Sequence, residues 1–162
     1  MKHIISALVE NKPGVLAHVA GMFAARAFNI DSLAVGRTED PELSRMTIVV
    51  IGDDKVVEQV RKQLAKIVPV VKVQDFAGQP VVARDLVLMS VSVPPEKRPE
   101  VVSLVEMFRA KVVDIGAKQL MIEVSGPESK IEAFINACRP YGIKNVVRTG
   151  TIAMPRQTKL EE

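Results

Sequence analysis

The spacing of apolar residues changes period several times along the chain. From Lys2 to Val9 it alternates loosely, with Ile4, Ile5, Ala7, Leu8 and Val9, and predicts a strand. Pro13-Gly14 then breaks the run. Leu16, Val19, Phe23 and Ala27 recur at helical spacing, flanked by Val15, Met22 and Arg26. Asn11 is expected to cap the start of this helix, and Asn29 to close its end in the left-handed conformation. Ala17, Ala20, Gly21, Ala24 and Ala25 make the helix thin enough to lie close against a sheet. Ile30 to Arg37 predicts a second strand, Thr38 to Glu42 a polar turn, and Ser44 to Ile51 a third strand. Gly52-Asp53-Asp54 opens a second helix, with Val56, Val57, Val60, Leu64 and Ile67 as its apolar stripe. Pro69 stops it, and Val70 to Phe76 predicts a fourth strand.

The same order then recurs. Leu86 to Val93 predicts a strand broken by Pro94-Pro95, and Pro99 to Phe108 a helix. Val112 to Ile115 and Leu120 to Val124 predict two further strands. Gly126-Pro127-Glu128 opens a helix with Pro in its first turn, carrying Ile131, Phe134, Ile135 and Cys138, and Val146 to Met154 predicts the last strand. The expected class is therefore α+β: two tandem ferredoxin-like βαββαβ modules, each an antiparallel sheet with its helices on one face. The expected bounds are 1–77 for the first module, 78–84 for a linker, 85–155 for the second module and 156–162 for a loose tail. Ile48, Val49, Val50 and Ile51 are apolar on both sides of one strand. The second face of that sheet is thus expected to be covered, by the other module or by another chain. Edge strands of such a sheet invite pairing into a homodimer.

Composition narrows the function. With 48% hydrophobic residues in 162, the chain is expected to fold. Its apolar runs are broken by charges before the ~20 residues of a membrane span, and its start reads as a first strand, not a signal peptide. A net charge of +3 and 4% aromatics, with no Trp, argue against a nucleic-acid face. The expected central strands carry no aromatic on which a base could stack. Cys138 is the only cysteine, so no intrachain disulfide or cysteine metal cluster forms, and a cytoplasmic setting is expected.

Catalytic groups are sparse. His3 and His18 have no neighbour at metal-ligand spacing. Asp53-Asp54 and Glu161-Glu162 read as a helix start and a tail. No nucleophile elbow or phosphate-cradling loop is present. No catalytic residue, metal or cofactor is expected in this chain. The segment around the first helix is the remaining candidate. Its first turn offers free N–H groups and partial positive charge, which suit a carboxylate. Gly14 admits a ligand to the backbone, Asn11 supplies an amide, and Asn29 could reach the same ligand from a second copy. Val15, Leu16, Ile30 and Val35 would form an apolar wall, so the chemistry fits a small apolar amino acid. Residue types alone leave a second reading open, in which Asn11 caps, Gly14 turns and Asn29 closes.

The stretch ENKPGVLAHVAGMFAARAFNIDSL resembles the opening of an ACT domain, a small-molecule sensor of amino-acid metabolism. AVGRTEDPELSRMTIVVIGDDKVVEQVRKQLAKIVPVVKV resembles the small, regulatory subunits of acetolactate synthase. The second half agrees more loosely, through VEMFRAKVVDI and VVRTGTIAMPR. The resemblance implies a non-catalytic regulatory subunit in branched-chain amino-acid biosynthesis. Its partner would be a catalytic subunit carrying thiamine diphosphate, FAD and magnesium. That subunit would be activated, and made sensitive to valine held between two ACT domains of a dimer. By position, the effector contacts fall on Asn11, Gly14, Val15 and Leu16 of one copy and Asn29 and Ile30 of the other. The alternative is a free-standing ACT sensor acting on another enzyme or on transcription.

Overall fold

The computed structural model describes residues 1–157, so most of the expected tail, residues 158–162, lies outside the described residues. The chain divides into two compact units. One is Met1–Val82 with the segment that starts at Thr151, and the other is Ala83–Gly150.

The first unit runs β1 (Lys2–Glu10), α1 (Val15–Ala25), β2 (Ile30–Arg37), β3 (Leu43–Ile51), α2 (Asp54–Leu64) and β4 (Val70–Asp75). The strands form an antiparallel sheet in the order β2-β3-β1-β4. Alternation along each strand decides what is buried where. Ile5, Ala7 and Val9 of β1 and Met46, Ile48 and Val50 of β3 point to the helices. There they meet Val19 and Phe23 of α1 and Val57, Val60 and Leu64 of α2. On the opposite face Ser6, Thr47 and Val49 are buried as well. The Thr151 N–H donates to Ser32 Oγ there at 2.9 Å, and Arg45 Nη1 donates to Ser6 Oγ at 2.9 Å.

The second unit repeats the order with β5 (Val81–Ser92), α3 (Arg98–Met107), β6 (Lys111–Ile115), β7 (Gln119–Gly126), α4 (Glu128–Cys138) and β8 (Ile143–Arg148). Its sheet order is β6-β7-β5-β8, with β9 (Ile152–Pro155) paired to β5. The core gathers Val87, Met89, Ile122, Val124, Val101, Ile131 and Phe134. Three features differ from expectation. β5 begins at Val81, inside the expected linker, because Arg156 N–H donates to Pro80 O at 2.8 Å and β9 extends the pairing. The expected last strand is two strands, because Gly150 takes φ 86° and Thr149 turns its hydroxyl onto Asp85 Oδ1 at 3.1 Å. The expected first-turn proline of α4, Pro127, sits one step earlier, at the N-cap.

Both expected asparagine caps on α1 are corrected. Asn11 does not cap the helix; Gly14 occupies the N-cap position, and no side chain bonds into the first turn. Asn29 does not close the helix either. Ala27 holds the left-handed conformation at φ 54°, with Ala27 N–H on Ala24 O and Phe28 N–H on Phe23 O. That is a Schellman closure, and its usual apolar contact is the edge-on pair of Phe23 and Phe28 rings, 6.2 Å apart. α3 ends the same way, with Arg109 at φ 52°, Arg109 N–H on Glu106 O and Ala110 N–H on Val105 O. The repeat of element order thus extends to how the first helix of each unit stops.

Candidate functional site

The chain leaves β1, turns through Pro13 and Gly14, and enters α1. Gly14 has φ 84° and ψ −9°, a left-handed conformation that a residue with Cβ adopts only under strain. The first intrahelical bond is His18 N–H to Gly14 O at 3.0 Å. The N–H groups before it, of Val15, Leu16 and Ala17, have no partner within the helix and no side-chain cap. The helix start therefore presents unpaired N–H groups and partial positive charge. Leu16 is 46% exposed beside it, whereas Val15 is buried in the core and supports the turn from below.

Asn11 borders this turn in a different role from the expected cap. Its backbone N–H donates to Glu42 O at 2.7 Å and its Nδ2 to Pro41 O at 2.9 Å. It ties the start of α1 to the turn between β2 and β3. That turn is itself closed by Thr38 N–H on Leu43 O and by Asp40 Oδ1, which accepts from Glu42 N–H. Lys12 pairs with Glu10, Nζ to Oε2 at 2.8 Å. The hydrogen bond and charge of Glu10, helped by Glu42, hold the Lys12 pKa above its ordinary value. Its charge is thereby balanced within the turn.

Asn11, Gly14, Val15 and Leu16 are thus brought together. Asn29 and Ile30 are not: they lie beyond the far end of α1, whose 11 residues span about 16 Å. Within one chain the two halves stay apart. Val35 is 46% exposed on β2, the edge strand, toward the end that Asn11 pins.

A second concavity was not anticipated. It lies between α1 and α2, encloses about 390 Å3, and is lined in part by Gly21, Arg26 and Lys66. Its one readable trace is the thinness of α1, which the spacing of small residues shows but which carries no chemistry by itself. Among the described residues no group of three or more His, Cys, Asp or Glu could hold a metal ion, and no helix is long and apolar enough to cross a membrane.

Two βαββαβ units, the first with an open helix entry, are the architecture of ACT-type proteins. Residues 5–72 match the family described as the AHAS small subunit-like ACT domain. Residues 84–157 match the small subunit of acetolactate synthase. The chain is 57% identical over 159 residues to a probable acetolactate synthase small subunit of Archaeoglobus fulgidus, covering 98% of this chain and 99% of that one. It is 46% identical over 162 residues to an acetolactate synthase small subunit of Aquifex aeolicus, covering 99% and 84%. A crystal structure of the acetolactate synthase small subunit from Thermotoga maritima superposes with a TM-score of 0.89 at 44% identity, over 96% of this chain and 98% of that one. The chain belongs to the acetolactate synthase small-subunit family.

Proposed function

We propose that the chain is the regulatory subunit of an acetolactate synthase. It binds and activates a catalytic subunit, which carries thiamine diphosphate, FAD and magnesium, and confers feedback inhibition by valine. The observation that carries the effector reading is the open first turn of α1, whose N–H groups have no side-chain cap behind a left-handed Gly14. A zwitterion offers the two groups this site accepts. Its carboxylate takes the N–H groups after Gly14, and its ammonium takes amide or carbonyl oxygens. Leu16, with Ile30 of a second copy, encloses the isopropyl group, and Asn29 of that copy completes the polar ring. The separation of the two halves along α1 favours a site shared between copies over one within a single chain.

Inhibition requires valine to bind one arrangement of the complex better than another, with a typical coupling of ~1–3 kcal/mol. A dimer interface that contains the ligand is a natural two-state element, since closing it on valine changes how the copies meet. The deciding experiment reconstitutes the purified chain with the catalytic subunit and measures acetolactate formation with and without valine. Stimulation by the chain, and its reversal by valine, are the expected results. A free-standing sensor would neither copurify with the catalytic subunit nor change its rate. Titration calorimetry of the chain alone with valine isolates the binding step, and a flat trace at about 10 mM ligand would remove the effector site.

A further inference from the structure

We propose that the groove between α1 and α2 of the first unit is a second ligand site, for a phosphorylated small molecule with an apolar body. It lies on the helix side of the sheet, its lining reaches back along α1 to Ala17 at the edge of the helix entry, and the proposal does not use the valine reading. The cavity encloses about 390 Å3, within the range of small-molecule pockets. Its base is apolar, formed by the buried Met22 and Ile67. Its α1 wall is low, because a Cβ built at Gly21 meets nothing within 4 Å.

The permanent charges around that apolar base, Arg26 and Lys66, are both positive. His18, Arg26 and Lys66 line the groove, and no acidic residue does. None of the three makes an ion pair among the described residues, whereas Lys62 nearby on α2 is neutralised by Glu58 at 2.7 Å. The net charge of the whole chain is only +3, so unpaired cations converging on one cavity are a marked concentration. Arg26 is also held in place: its Nη2 donates to Gln63 Oε1 at 2.9 Å, a neutral acceptor that orients the guanidinium without cancelling its charge. The remaining N–H groups of that planar fork suit two phosphoryl oxygens, and the Lys66 ammonium adds a point charge. A dianionic phosphoryl group matches this set better than a singly charged carboxylate. The apolar base then takes the body of the molecule.

The test uses phenyl phosphate, benzoate and inorganic phosphate as probes of the full chain, followed by titration calorimetry and amide NMR shifts. Phenyl phosphate is expected to bind saturably at about 10 mM or below, more tightly than inorganic phosphate or benzoate, and to weaken as salt rises. The double substitution R26A/K66A is expected to weaken it at least roughly tenfold. G21L fills the groove from a position with room for a side chain, and is expected to abolish binding without lowering the thermal midpoint. That variant keeps the question decidable if the double substitution disturbs the helices. No saturable binding, binding unchanged in both variants, or benzoate binding as tightly as phenyl phosphate would each overturn the proposal.

Discussion

At the scale of single residues, the α1 entry depends on one backbone angle. Gly14 sits at φ 84° with open space where a Cβ would go, so a substitution there is limited by strain and not by a clash. Left-handed backbone costs an ordinary residue about 1–2 kcal/mol. Gly14→Glu and Gly14→Ala carry that strain alike, but only Glu brings a carboxylate to the proposed anion seat. Calorimetry is therefore expected to show valine binding lost in G14E and kept in G14A, weakened by no more than a few-fold. Equal loss in both would assign the effect to the turn and not to charge. Ala27 gives the opposite case, since it already bears left-handed strain at φ 54°. Ala27→Gly relieves ~1–2 kcal/mol and adds back ~0.5–1 kcal/mol of chain entropy in the unfolded state. The net expectation is a higher denaturation midpoint, by about 0.5–1 kcal/mol. An unchanged or lower midpoint would show that the Phe23–Phe28 contact, and not the backbone, sets this closure.

At the scale of elements, side-chain hydrogen bonds decide helix ends and helix-to-helix ties. Asp53 caps α2 by accepting from Val56 N–H at 2.9 Å, and Asp53→Ala is expected to lower stability by ~1 kcal/mol in a denaturant titration. Glu100 on α3 accepts from the Tyr141 hydroxyl at 2.9 Å, beyond the end of α4, and pairs with Lys97 at 3.2 Å. The Tyr141 bond, then the Lys97 bond, depress the Glu100 pKa. A depressed carboxylate contributes stability above its unfolded pKa and loses it as pH falls through the folded pKa. The difference in melting temperature between the parent chain and Tyr141→Phe is thus expected to shrink below the ordinary carboxylate range. A difference that stays constant from neutral to acidic pH would rule out this tie as pH-dependent. Cap and strand chemistry also show what could be read from the residues. Asp53 was legible because an acid before a helical stripe has few other roles, and β2, Ile30–Arg37, was legible because the polar turn from Thr38 bounds its far end. Asn11 was not, because its partners Pro41 and Glu42 are 30 or more positions away and leave no local trace. Ala27 was not, because nothing in an alanine announces a left-handed angle that the packing of Phe28 imposes. The members of the candidate site and the free N–H groups of the first turn were nameable from the helix signal; that Asn11 leaves those groups uncapped became visible only with the helix start at Val15.

At the scale of the molecule, the decisive question is whether one effector site draws on two copies of the chain. Gly14 and Asn29 lie beyond opposite ends of α1, whose 11 residues span about 16 Å, which is too far for one valine to bridge within a chain. If the site is shared, it can be rebuilt from two defective chains. G14E spoils the helix-entry half and leaves Asn29 intact, while Asn29→Ala spoils the other half and leaves Gly14 intact. In a mixed dimer, one site collects both defects and the other collects none. Random exchange of equal amounts makes half of the dimers mixed, and one of the two sites in each mixed dimer is whole. Valine binding is then expected to return to about a quarter of the parent stoichiometry, with the parent affinity. A site built within one chain predicts no recovery, since every chain in the mixture carries a defect. Separate titration of each variant supplies the baseline, and denaturing and refolding the mixture ensures that subunits exchange. Recovery at parent affinity would establish that valine bridges copies and that its binding is linked to their association. Absence of recovery in a fully exchanged mixture would confine the site to one chain and require a different partner for the N–H groups beyond Gly14.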